Sequence, residues 1–276
     1  MTSATVEGRL PQRTAVRGVT FPRVLRSEWT KLWWLRSTRW SLFLGTLLTI
    51  AFPVLFAFVT SSHWGGMSPQ ERADRSPMDI ALAGVNVAQL AIAVLGVLVI
   101  SGEYSTGMIR SSFMAVPRRL PVLWAKLTTY GFVTFVLMLA SSFISFFAVQ
   151  AIVKRRHLQH ALSDPHALRA VIGAALFLTV LGALGLGLGA LIRNTAGGIA
   201  AFVGLLFVLP GVVAILPSSI GDKINPYLPL NAGTTVLTVR FDDSHHLAAW
   251  AGFAVFCGYA AVVIGAAAIA MARRDA

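Results

Sequence analysis

The sequence predicts an all-α integral membrane protein of six transmembrane helices, with an N-terminal interfacial amphipathic helix and a short cytoplasmic helix between the second and third spans. Three observations carry the fold class. Of 276 residues, 56% are hydrophobic and only 12% charged, whereas a soluble domain is about 25% charged. The apolar residues gather into six runs of span length, and a helix rising 1.5 Å per residue needs about 20 residues to cross about 30 Å of hydrocarbon. Lys and Arg crowd the ends of these runs, where they hold cytoplasmic edges and meet anionic lipid. The net charge of +12 is therefore read as a membrane-lipid signal, not a nucleic-acid one, because no basic-and-aromatic binding module accompanies it.

Residues 1–21 are polar and aperiodic and read as a disordered cytoplasmic tail. Residues 22–39 read as the interfacial helix. At 100° per residue, Val24, Leu25, Trp29, Leu32, Trp33 and Leu35 fill one half of the wheel, and Arg26, Ser27, Thr30 and Lys31 the other. Trp34 falls on the polar side, so two readings stay open: a plain anchor, or a surface where Trp34 and its basic neighbours meet a partner. Residues 40–276 form the six-helix domain, with spans at about 40–59, 80–100, 122–149, 171–192, 197–216 and 247–271. Pro53 and Pro210-Gly211 predict kinks or breaks, and Asp79 is the expected N-cap of the second span. In the fourth span Gly185 and Gly189 have small-xxx-small spacing, which suits tight packing within one subunit or, alternatively, a dimer contact.

A six-span model gives the end holding both termini 15 Lys and Arg and the other end 8, which places both termini in the cytoplasm of a multi-pass cell-membrane protein. The Lys154-Arg155-Arg156 cluster falls outside in that model and opposes it. The lone Cys257 sits in an apolar run, so no intrachain disulfide forms.

Between the second and third spans, Ile109, Phe113 and Val116 follow i, i+4, i+7 spacing, predicting a short helix stopped by Pro117. Its apolar face suits a groove on another protein. Glu103 is the one acidic residue at a cytoplasmic membrane edge after the leader; it pairs with Arg110 or caps the short helix, or serves coupling to a partner. Polar residues inside spans are costly. Asn86 and Gln89 share a face of the second span, and Ser141, Ser142 and Ser145 cluster in the third. They either line a substrate path, with Asn86, Gln89, Ser141 and Ser145 as candidates, or bond helix to helix. His157, His160 and His166 with Asp164 read as an exposed loop, not a metal site. There is no G-x-x-x-x-G-K-[ST] phosphate cradle, triad or paired carboxylate within the spans, so no catalytic residue is assigned and the chain is not expected to be an enzyme.

Three motifs in order carry a resemblance. They are the leader stretch Arg26-Ser27-Glu28-Trp29-Thr30-Lys31-Leu32, the Gly102-Glu103-Tyr104-Ser105-Thr106-Gly107 loop ending at Pro117-Arg118-Arg119, and the Arg193-Asn194-Thr195-Ala196-Gly197-Gly198 turn. Across residues 22–276 the chain resembles the permease subunits of type-2 ABC exporters. That resemblance implies a connecting helix containing Arg26, Glu28, Trp29, Lys31, Trp33 and Trp34. It also implies a coupling helix against a separate ABC-type ATPase, touched by Glu103, Thr106, Met108, Ile109, Arg110, Phe113, Arg118 and Arg119. The partner ATPase would bind ATP and Mg, leaving no cofactor in this chain, and a second permease subunit would complete a homo- or heterodimer. Short re-entrant helices are implied near residues 217–230. The expected function is export through a path in the membrane; the rivals are a secondary transporter and a non-transporting scaffold or immunity protein. For a secondary transporter, none of the 11 acidic residues falls at mid-membrane.

Overall fold

The structure, a computed structural model, describes residues 20–66, 68, 76–116, 119–154, 161–239 and 247–273. The helices are α1 (Phe21–Trp34), α2 (Arg36–His63), α3 (Pro77–Ser105), α4 (Met108–Ala115), α5 (Leu120–Val153), α6 (Ala167–Ile192), α7 (Thr195–Val213), α8 (Ser218–Ile224), α9 (Pro229–Thr234) and α10 (Ala249–Arg273). Among the described residues there is no strand. Six helices, α2, α3, α5, α6, α7 and α10, are long and apolar enough to cross a membrane, the architecture of a multi-pass membrane protein.

Each span differs from the length of its apolar run. α2 begins at Arg36, so the leader helix ends at Trp34 and not at residue 39. The break is Leu35, whose extended backbone (φ −74°, ψ 115°) leaves the helix between two helical neighbours. Asp79 is not the N-cap of α3. Ser76 is, its Oγ accepting the Met78 amide at 3.3 Å, with Pro77 in the first turn and Asp79 two residues further in. Pro53 does not end α2, which runs on to His63 with Pro53 buried. The expected break at Pro210 takes the form of a five-residue π turn, Gly204–Val208, directly before it in α7. A π turn re-spaces the ladder where proline offers no N–H.

α6 is the most buried of the six, and α2, α7 and α10 the least. α6 lies against α3 because glycine lets the backbones meet. A Cβ at Gly185 would stand 2.5 Å from the Ala93 carbonyl, one at Gly189 2.8 Å from that of Val97, and one at Gly96 would overlap the Gly182 carbonyl. The small-residue stripe of the fourth span is thus used inside the chain. Tyr130 on α5 crosses to the same seam, its hydroxyl donating to the Ile92 carbonyl at 2.8 Å. Three apolar clusters follow among the described residues, one built on Met138, Phe146, Phe177 and Phe256, a second at the α1 end on Leu32, Leu42, Leu95 and Leu123, and a small third on Val24, Val122 and Ala125.

Candidate functional site

The chemistry concentrates at the end of the bundle where α1 meets α3, α4 and α5. Glu28 and Lys31 on α1 are a turn apart and face the same way as Val24 and Leu32, so the inward stripe of α1 is Val24, Glu28, Leu32, all buried. The sequence wheel expected an apolar inward arc; a carboxylate occupies its centre instead. Lys126 lies near the start of α5 and Glu103 near the end of α3. Glu103, in the last turn of α3, carries the wrong sign for a helix C-terminus, where a cation belongs, and Lys126 is a cation buried inside α5. Their pairing explains them.

The four charges close a ring. Lys126 Nζ donates to Glu28 Oε2 at 2.6 Å and to Glu103 Oε1 at 2.9 Å, and Lys31 Nζ donates to Glu28 Oε1 at 2.7 Å and to Glu103 Oε1 at 3.2 Å. Lys31 also reaches Ser112 Oγ on α4 at 3.0 Å. Glu28, Glu103 and Lys126 are each only 3% exposed, so the ring is desolvated and sums to zero charge. Its environment shows in Glu28. Burial resists ionisation, yet the attraction of Lys126 and then Lys31 outweighs it and holds the carboxyl below its ordinary value of 4.5. For Lys31 burial works against the charge, and Glu28 and Glu103 outweigh it, raising the ammonium above 10.5. Glu103 Oε2 and Thr129 Oγ1 are buried without a hydrogen-bond partner, and both residues line a narrow cleft of about 10 Å³ beside the ring.

The short helix α4 covers this ring from outside. It starts where Gly107 takes φ +72°, a left-handed turn that favours glycine. Ile109 is buried, and Phe113 and Val116 pack with Val24, Val122 and Ala125. The apolar face of α4 is therefore spent on its own chain, contrary to the expectation that it faces a partner's groove. What it leaves outward is Thr106, Arg110, Ser111 and Met114, the last 78% exposed; Met108 is half-buried. Glu103 turns to Lys31 and Lys126, where the sequence had offered Arg110 as its partner. Arg119 does different work: its guanidinium sits 5.3 Å over the Phe113 ring and Nη1 donates to the Met271 carbonyl at 3.5 Å. Arg193 donates to the Ala270 carbonyl at 3.3 Å and lies 5.3 Å over the Tyr104 ring. The two arginines thus meet carbonyls in the last turn of α10, where a helix lacks donors and carries partial negative charge. Arg118, and the stop at Pro117, lie outside the described residues, as do residues 1–19, His157 and His160.

The remaining motif residues also have local tasks. Asn194 caps α7 by accepting the Gly197 amide at 2.9 Å, and Thr195 Oγ1 lies 2.9 Å from Ser101 Oγ on α3. Trp29 packs against Trp33 and Phe132, while Trp33, Trp34 and Arg26 stand exposed. Of the substrate-path candidates, Ser145 donates to the Ala81 carbonyl across helices, Ser141 to Leu137 on its own helix, and Gln89 to the Asn86 carbonyl. Asn86 is exposed and lines a separate cavity at the other end of α3.

Lys126 is the functional residue that sequence reasoning missed. One cation at a span edge reads as an anchor; only the company of Glu28 and Glu103, 98 and 23 residues away, gives it a task. No family model matches the chain, and no curated protein does either.

Proposed function

We propose that the chain is the membrane-spanning permease subunit of an ATP-driven exporter, working as a homo- or heterodimer in the cell membrane with both termini cytoplasmic. A separate ABC-type ATPase, holding ATP and Mg, docks on the outward residues of α4. The single observation that supports this reading most is the charge ring directly behind that helix. Through Lys31, Ser112, Glu103 and Lys126 a push on α4 is delivered to α1, α3 and α5 together, because breaking any one contact strands a buried charge. In this reading α1 lies in the interface, Trp33 and Trp34 at headgroup depth, and switching of the ring's helices as one body alternates access to the path. The stretch from α8 to α9 forms the outer gate; Pro217, Pro226 and Pro229 each open a short element there.

The test is purification from native membranes in mild detergent. An ATP-hydrolysing subunit is expected to co-elute with the wild-type chain and to be lost from Arg110→Glu and Met114→Glu, whose side chains contribute nothing to the packed core. Recovery of the chain without an ATPase, or full retention of one by both variants, overturns the reading.

A further inference from the structure

The charge ring leaves hydrogen-bonding capacity unspent, and the residues that hold it line one cleft. Glu28 uses both carboxylate oxygens, Oε1 on Lys31 and Oε2 on Lys126. Glu103 takes both ammonium groups on Oε1 and nothing on Oε2. An ammonium carries three N–H groups. Lys31 spends three, on Glu28, Glu103 and Ser112, whereas among the described residues Lys126 spends two, on Glu28 and Glu103. Thr129 is the third case. Thr49, Thr128 and Thr179 each donate to the carbonyl one turn back in their own helix, but Thr129 Oγ1 is buried and makes no such bond. Glu103, Lys126 and Thr129 are each 3% exposed, so bulk solvent does not serve them. All three line the cleft of about 10 Å³, where they meet Thr38 from the first turn of α2, itself buried, and the apolar Leu32, Leu35 and Val99.

We propose that this cleft binds one ordered water molecule, which accepts the third N–H of Lys126, donates to Glu103 Oε2, and is held by the hydroxyls of Thr129 and Thr38. The volume sets the size of the ligand, since a buried water needs about 10–15 Å³ and two to four polar partners. The chemistry sets its charge. A donor and an acceptor side by side suit a molecule that both gives and takes a hydrogen bond; a metal cation would face the Lys126 ammonium and an anion the Glu103 carboxylate. Either ion would also leave net charge in a desolvated ring that sums to zero, which is costly. The water gives the ring a bond to α2, the neighbouring span that no ring side chain reaches directly among the described residues. Through it a displacement of α4 reaches α2 as well as α1, α3 and α5. That transmission rests on the exporter reading; the binding of the water does not.

The test pairs a crystal structure of the wild-type chain, at a resolution that shows ordered water, with thermal unfolding of the purified chain in detergent. A water peak within hydrogen-bond distance of both Lys126 Nζ and Glu103 Oε2 is expected in the cleft. Thr129→Val keeps the shape of the side chain and removes its hydroxyl, and the sign of its effect is diagnostic. With the water present the variant takes away one of its partners, and Tm is expected to fall by a few degrees. Over a dry cleft the same change removes an unsatisfied buried hydroxyl, so Tm holds or rises. Thr38→Val is expected to lower Tm as well, and the double variant to lose less than the sum of the two, because one water is lost only once. A cleft without a water peak, a metal ion in its place, an unchanged or raised Tm for a monodisperse Thr129→Val variant, or additive losses overturns the proposal. Should Thr129→Val fail to fold, the wild-type map decides alone. Recovery of the chain without an ATPase leaves the water standing and removes only its part in transmission.

Discussion

Lys126 shows how a residue's meaning depends on what the fold brings to it. Replacing its partner by Glu103→Gln leaves two ammonium groups facing one carboxylate in a desolvated place, at a cost of about 3–5 kcal/mol. Glu103→Gln combined with Lys126→Met leaves the Glu28–Lys31 pair intact at 2.7 Å, so the double variant is expected to melt higher than Glu103→Gln alone. Additive losses in Tm would show that the ring is not coupled. The pH dependence follows from the two α1 groups. Glu28 is depressed, so its contribution is full above about pH 4.5 and is lost as pH falls through the native value; Lys31 is raised, so its contribution is full below about pH 10.5 and is lost as pH rises through the native value. The Tm gap between wild type and Glu28→Gln is therefore expected to be flat between about pH 5 and 10 and to close as the pH falls below 4.5 and through the lowered native value. A gap that peaks in acid contradicts the ring. Composition made Glu103 stand out because acids are scarce, and the leader motif drew in Glu28 and Lys31. Nothing in spacing joined these to Lys126, since pairing across 98 residues is decided by how three helices cross.

At the scale of elements, apolar run length located all six spans because a bilayer sets that length. It missed their ends, since polar residues such as Arg36, Arg39 and Ser76 extend or cap a helix beyond the hydrocarbon. The spacing of Ile109 and Phe113 likewise found α4 but not its orientation, because periodicity tells which residues share a face and not what covers it. The α3–α6 seam offers a sharp check on packing. Gly185→Val must push against the Ala93 carbonyl, which as backbone moves only with its helix, and overpacking of this kind costs about 1–3 kcal/mol or more. Gly258 on α10 has open space where a Cβ would stand, and Ala is the better helix former by about 1 kcal/mol. Gly185→Val is expected to lower Tm by several degrees and Gly258→Ala to hold or raise it. An indifferent Gly185→Val would mean the two helices are not in contact there.

For the whole molecule, α3 is the member that joins the charge ring to the cavity at its other end. Asp79 and Glu103 are 24 residues apart along one uninterrupted helix, about 36 Å at 1.5 Å per residue, which is longer than the hydrocarbon core is thick. The ring and the cavity are thereby expected on opposite faces of the membrane, joined by a rod stiffened against α6. The charge count, 15 against 8, argues for the ring end facing the cytoplasm, yet Lys154, at the end of α5, stands at the cavity end and argues the other way. Cysteine labelling decides between them, and the single native cysteine makes it simple: in a Cys257→Ala background, Arg110→Cys, Ala161→Cys and Asp222→Cys each place one thiol at an exposed position. An impermeant maleimide on intact cells is expected to label Ala161→Cys and Asp222→Cys, and Arg110→Cys only after permeabilisation. The reverse pattern would put α4 outside the cell, where no ATPase can reach it. Labelling of Ala161→Cys and Asp222→Cys from different sides would break the six-span thread itself, because α6 and α7 carry the chain across and back between them.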